Sequence, residues 1–103
     1  MKNHSPAEGK AVTEAETELC RAMMAMESVE ECRALLLDLC TPSELEAMAD
    51  RWRVVRYLRE GRPYREIHDR TGVSVTTIGR VCRFLDHGNG GYQTAYERLY
   101  PND

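Results

Sequence analysis

The sequence predicts an all-α domain of six helices, two of which form a helix-turn-helix. Three observations carry that expectation. Apolar residues recur at i, i+3, i+4 and i+7 along most of the chain, while strand-like alternation is confined to residues 73–78. The stripes around Ile67 and Ile78 are separated by Gly72, where a chain reversal needs φ > 0 and only glycine takes it without steric cost. Finally, residues 51–83 hold nine arginines against Glu60, Glu66 and Asp69, a net charge of +6 in a chain whose formal charge is −3. A length of 103 residues, 30% of them charged, fits one domain with a modest core.

In chain order, residues 1–10 are polar, contain Pro6 and Gly9, and are expected to be a flexible N-terminal arm ahead of a single helical domain over residues 11–103. Residues 11–26 make a first helix, with Glu14, Glu16 and Glu18 near its positive dipole end and Leu19, Met23 and Met26 as its stripe. Ser28 caps the second, with Glu31 three residues on as in a capping box. Val29, Cys32, Leu35, Leu36 and Leu39 form its apolar face, and it ends near Cys40. Thr41-Pro42-Ser43-Glu44 is the clearest helix start, with Thr41 as N-cap, Pro42 in the first turn and Glu44 reaching back. This third helix should run to about Glu60, stopped by Gly61 and Pro63, as a rod of roughly 28 Å. Leu45, Met48, Trp52, Val55 and Leu58 line one side; Arg51, Arg53, Arg56 and Arg59 take much of the rest. The helix-turn-helix occupies residues 64–85. After it, residues 86–91 read as a flexible joint, and Tyr92, Tyr96 and Leu99 mark a last short helix ending at Pro101. Because the joint separates that helix from the reading helices, it is expected to pack on the first helices or on a partner chain.

Within the motif, Ile67, Val73, Ile78 and Val81 should make the small shared core, and Ile78, Val81, Cys82 and Leu85 the inward stripe of the second helix. The opposite face carries Thr76, Thr77, Arg80 and Arg83, hydroxyls and guanidinium forks that suit base edges and phosphates. Two positions depart from the common pattern. His68 stands where Ala or Gly usually allows close helix approach, and Thr71 where an apolar residue is usual. Charge favours the DNA reading nonetheless. Every cation in residues 51–83 is arginine, whose fork matches phosphate and guanine, and acids to pair them are few. The acidic balance lies elsewhere, with −7 in residues 1–50. Double-stranded DNA is therefore the expected partner. RNA is the weaker reading, since few aromatics are available to stack single-stranded bases.

Other chemistries find little support. Cys20, Cys32, Cys40 and Cys82 form no CxxC pair and lack suitably spaced histidines, so buried reduced thiols are expected rather than a metal or redox centre. No nucleophile–base constellation is legible, so no catalytic residues, metal or resident cofactor are expected. The longest apolar run, residues 34–37, is far too short to span a membrane, and the first 18 residues have no apolar signal core. A cytoplasmic protein without membrane contact is expected.

One-sided helices leave the first, second and last stripes without cover. A homodimer would bury them and set two reading helices about one DNA turn apart, ~34 Å. From Leu39-Cys40-Thr41-Pro42-Ser43-Glu44-Leu45-Glu46-Ala47-Met48 onward the chain resembles the Trp repressor family. The likeness continues through Arg51-Trp52-Arg53-Val54-Val55, Leu58-Arg59-Glu60-Gly61, Arg65-Glu66-Ile67 and Gly72-Val73-Ser74-Val75-Thr76-Thr77-Ile78-Gly79-Arg80. Val29-Glu30-Glu31-Cys32, Asp38-Leu39-Cys40-Thr41 and His87-Gly88-Asn89 with Tyr92 are similar to its YerC/YecD branch.

The resemblance implies a Trp-repressor-like fold, an intertwined homodimer sharing its first, second, third and last helices, and an operator-binding transcriptional regulator, a repressor. It also implies that Arg65 contacts a base, that Val75, Thr76, Thr77 and Gly79 belong to the DNA-facing surface, and that Thr41, Arg51 and Arg80 border the tryptophan pocket. Tyr64, Arg80 and Arg83 are expected on the same DNA face, with Arg56, Arg59 and Arg62 toward phosphates. Where Trp repressors keep Gly and Ser just after the position of Arg80, this chain has Val81 and Phe84. That bulk is expected to exclude tryptophan, at a cost of about 1–3 kcal/mol or more. Arg51 and Arg80 then hold another small anionic effector, bind DNA phosphate, or pair with acids, and all three readings stand. A second functional reading keeps the helix-turn-helix as scaffold in a helical protein–protein adaptor whose arginines meet an acidic partner.

Overall fold

The computed structural model describes residues 9–102 as six α-helices, with no strand among the described residues. These are α1 (Gly9–Met24), α2 (Val29–Leu39), α3 (Pro42–Arg59), α4 (Tyr64–Thr71), α5 (Val75–His87) and α6 (Gly91–Leu99). Helix α1 takes in Gly9 and Lys10, which the sequence placed in the arm; the rest of that arm, residues 1–8, lies outside the described residues. Asp86 and His87, expected in the joint, instead complete α5. Contacts divide the chain into two units, Met1–Thr41 and Pro42–Asp103, within the stretch expected to form one domain.

The first unit holds α1 and α2. Ser28 sits in extended conformation and its hydroxyl accepts from the Glu31 N–H at 3.1 Å, as the capping box requires. Glu31 reaches back, but to the Glu27 N–H at 2.8 Å. No residue of α2 is buried, and Met24 and Val29 are 83% and 79% exposed. Amphipathic helices take most of their stability from packing of the apolar face. In the single chain Met23, Cys32, Leu35 and Leu36 are only half-buried, and Leu19 and Leu39 are exposed.

The second unit has a core of Val54, Val55, Ile67, Val73, Ile78, Val81 and Tyr96. All four residues expected at the heart of the helix-turn-helix are in it. The stripe expected on α3 is only partly right. Val55 is buried, but Met48 is exposed, and Val54, absent from the expected stripe, has no exposure at all. The reason is that α3 touches α4, α5 and α6, so two adjacent residues, ~100° apart around the helix, both face neighbours.

The expected placement of α6 needs correcting, because α6 packs on α3 and α5 of its own unit. The joint is a set of defined turns: Gly88 ends α5, its N–H donating to Phe84 O at 2.9 Å, and Gly90 takes the left-handed conformation at φ 84° just before α6. Tyr96 thereby enters the core, and the Tyr92 ring lies 6.4 Å from that of Trp52. Leu99, expected in the α6 stripe, points out at 61% exposure. A side chain at Gly88 would place Cβ 2.3 Å from the Phe84 carbonyl oxygen, which backbone cannot yield. Gly88→Ala is therefore expected to cost about 1–3 kcal/mol and lower the melting temperature by roughly 10 °C. A thermal melt within a degree or two of the parent would contradict this account of the joint.

Candidate nucleic-acid interface

The reversal between α4 and α5 is built by residues 71–74. Gly72 stands at φ 76° and ψ 0°, its N–H donating to His68 O at 2.8 Å. The two unusual residues close the turn. The Thr71 hydroxyl donates to Ile67 O at 2.7 Å and accepts from the Val73 N–H at 3.0 Å, while His68 Nδ1 donates to Val73 O at 2.8 Å. Polar side chains thus satisfy backbone groups that a tight turn would leave unpaired. What read as departures are the braces of the motif.

Ser74 then caps α5, accepting from the Thr77 N–H at 3.2 Å and donating its hydroxyl proton to Thr77 Oγ1 at 3.0 Å. Thr77 is half-buried and tied to the cap, whereas Val75, Thr76, Arg80 and Arg83 are exposed. Thr76, Gly79, Arg80, Arg83 and Phe84 line one open groove of about 550 Å³ along α5, with no acid among them. Arg65 is exposed on α4. This brings together Thr76, Gly79, Arg80 and Arg83 of the expected DNA surface.

Tyr64, expected on that surface, lies against the side of α5. Its ring atom Cε2 is 3.8 Å from where a Cβ on Gly79 would stand. Its hydroxyl hydrogen-bonds Cys82, and that bond, with partial burial and the charge of Cys82 and Asp86, holds the phenol above its ordinary pKa. Cys82 in turn points its thiol at Asp86 Oδ2, 3.8 Å away. At 3.8 Å a methyl on Gly79 makes ordinary contact, so Gly79→Ala should gain about 1 kcal/mol of helix propensity and raise the melting temperature by roughly 5 °C. Gly79 also lines the groove, so duplex affinity is expected to fall while stability rises. A stabilised variant with unchanged affinity would take Gly79 out of the interface.

Of the candidate effector residues, Arg51, Arg80, Val81 and Phe84 come together with Thr77 and Tyr92 around a cleft of about 390 Å³. Thr41 belongs to the other unit. Val81 is buried beneath this cleft and Phe84, 44% exposed, stands at its side. Neither Arg51 nor Arg80 pairs with an acid among the described residues of the single chain.

The arginines expected toward phosphate have partners of their own. Arg56 pairs with Glu60 at 3.4 Å and lies 4.9 Å over the Tyr100 ring; Arg59 lies 4.8 Å over the ring of Tyr96. Arg62 pairs with both Glu60 and Glu66. With Arg70, which pairs with Glu66 at 3.0 Å, three arginines (Arg56, Arg62 and Arg70) share two glutamates, a pairing the sequence discounted because acids were few. Hydrogen bonding from Arg62, with the charges of Arg62 and Arg70, holds Glu66 below the usual carboxylate range. A lowered carboxylate pKa adds stability above its unfolded value and loses it as pH falls, but exposed pairs of this kind contribute little.

Comparison with known proteins follows the same lines. The family model for the Trp repressor protein matches residues 14–100. The uncharacterised protein YerC of Bacillus subtilis is 40% identical over 82 residues, which cover 80% of this chain and 79% of YerC. The crystal structure of a TrpR-like protein from Eubacterium eligens superposes with a TM-score of 0.82 at 37% identity, covering 88% of this chain and 94% of its own. That of a candidate Trp repressor from Staphylococcus aureus gives 0.81 at 34% identity, covering 92% and 95%.

Proposed function

The chain belongs to the Trp repressor family, and from that premise we propose that it is a sequence-specific DNA-binding repressor of transcription acting as a homodimer. Family membership makes it a DNA-binding regulator rather than an enzyme. No helix among the described residues is long and apolar enough to cross a membrane. The observation that carries the proposal is the acid-free groove on α5, where Thr76, Arg80 and Arg83 project from a helix braced at its start by Ser74 and at its turn by His68 and Thr71. In the proposed complex α5 enters the major groove. Arg65, Val75 and Thr76 meet base edges there, Thr77 holds the cap of α5, and Arg80 and Arg83 reach bases or phosphates. The incompletely buried faces of α1 and α2 support the dimer, since a second copy is the economical way to bury them. Two reading helices about one DNA turn apart then match a two-fold symmetric operator. Gel-shift competition tests the reading: unlabelled operator should displace a labelled one, while a random duplex of equal length should not. Equal competition would contradict sequence-specific binding.

Tryptophan is not the corepressor in this proposal. The cleft between Arg51 and Arg80 has Val81 and Phe84 where the resemblance puts Gly and Ser, and overfilling of about 1–3 kcal/mol weakens a ligand some five- to 150-fold. Calorimetric titration with L-tryptophan is expected to show no specific heat. A saturable one-to-one isotherm would overturn this. An effector of other chemistry remains compatible with the two arginines.

A further inference from the structure

A second basic surface lies apart from the groove of α5. Arg53, Arg56, Tyr57, Glu60, Arg62 and Arg70 line an open cleft of about 380 Å³ where α3 turns into α4. Two carboxylates run a ribbon of ion pairs through it. Glu60 holds Arg56 Nε at 3.4 Å and Arg62 Nε at 3.0 Å; Glu66 holds a terminal nitrogen of Arg62 at 2.5 Å and Arg70 Nε at 3.0 Å. Arg53 has no such partner among the described residues. Four arginines and Glu60 line the cleft, and with Glu66, which pairs with Arg62 and Arg70, the cluster keeps a net charge of +2.

Exposed ion pairs add little to stability, so the fold does not explain why this ribbon exists. What it does is aim the guanidinium groups. Arg56 and Arg70 are gripped through Nε, so the terminal nitrogens of each are not the ones held by these carboxylates. Tyrosine rings steady Arg56 and Arg62, with Tyr100 and Tyr57 lying 4.9 and 5.9 Å below their guanidinium carbons. Forks fixed in advance lose less freedom on binding, and a guanidinium fork matches the oxygens of a phosphate. The direction of the cleft names the source. Glu66 and Arg70 stand about one turn apart on α4, and Arg65 is rotated by ~100° from Glu66 and ~140° from Arg70. A duplex that meets Arg65 and α5 therefore carries its backbone toward this neighbouring face of α4.

We propose that the cleft cradles a backbone phosphate of DNA flanking the bases read by α5, so that the protein's footprint extends beyond its operator. The inference rests on the DNA-binding function proposed above. Arg53 and Arg70, which have no place in the reading groove, supply the test. Affinity and its salt dependence are measured for the full chain, Arg53→Ala and Arg70→Ala, on the operator alone and on the operator extended by one helical turn (~10 base pairs) at each end. Wild type should bind the longer duplex about fivefold more tightly, with a log–log salt slope steeper by about 1. Each variant should lose that advantage and steeper slope while keeping the parent's affinity for the short duplex and its melting temperature. Equal wild-type affinity for both lengths, or equal losses by a variant on both, would overturn the cradle. So would saturable binding of inorganic phosphate that needs Arg53 and Arg70 but leaves the flank effect unchanged, since it would mark a site for a free anion. If no operator can be selected, the DNA-binding function fails and the cradle with it. A clear operator without a flank effect removes the cradle alone.

Discussion

Replacing Arg65 or Thr76 by alanine is expected to weaken binding to the operator by about 10- to 100-fold while the protein stays folded. Both side chains are exposed, and neither shares in the core or in the hydrogen bonds that close the turn. Their removal therefore leaves the turn and the cap of α5 intact. What is lost is a set of contacts to base edges, and with them discrimination at the positions they read. Affinity for unrelated duplexes should change far less, because it comes from phosphate contacts that these substitutions leave alone. Anisotropy titrations on operator and scrambled duplexes, beside a thermal melt, separate the outcomes. Equal losses on both duplexes would place Arg65 and Thr76 at the backbone rather than the bases.

Ile78→Ala should act in the opposite manner, through the fold. Ile78 is fully buried on α5 and shares its cluster with Ile67, Val73 and Val81, the residues that set the angle between α4 and α5. Truncating a buried isoleucine typically costs about 2–5 kcal/mol, because the lost transfer energy adds to an unfilled cavity. Small domains hold only about 5–15 kcal/mol in reserve. The melting temperature should fall by roughly 15 °C or more, and operator and scrambled duplexes should lose affinity together. A melt lowered by only a few degrees would mean that the packing around Ile78 is looser than the structure shows.

The helix-turn-helix was legible in the sequence because its determinants are local. Gly72 needed a positive φ, and the spacing of Ile67, Val73, Ile78 and Val81 follows from helix geometry. What failed was whatever depends on neighbours distant in sequence. Periodicity sees one face of α3, but contacts with α4, α5 and α6 bury both Val54 and Val55. The glycines of residues 88–91 read as slack, although Gly88 and Gly90 hold specific conformations that return α6 to α3 and α5. In the interface, exposed positions such as Thr76 and Arg83 were readable from helical phase. The roles of Tyr64 and Thr77 were not, since each is set by one partner, Cys82 or Ser74, on which phase is silent. Two signals were present and underused. His68 and Thr71 are both able to hydrogen-bond a turn, and Arg56 with Glu60, Arg62 with Glu66 and Glu66 with Arg70 all stand at i, i+4.

Selection of bound duplexes from a random DNA pool at near-physiological salt tests the central claim most directly. A two-fold symmetric consensus with half-sites about one helical turn apart is the predicted result. Absence of enrichment, or enrichment that follows duplex charge alone, would contradict a dimeric sequence reader and favour an adaptor whose arginines meet an acidic protein partner.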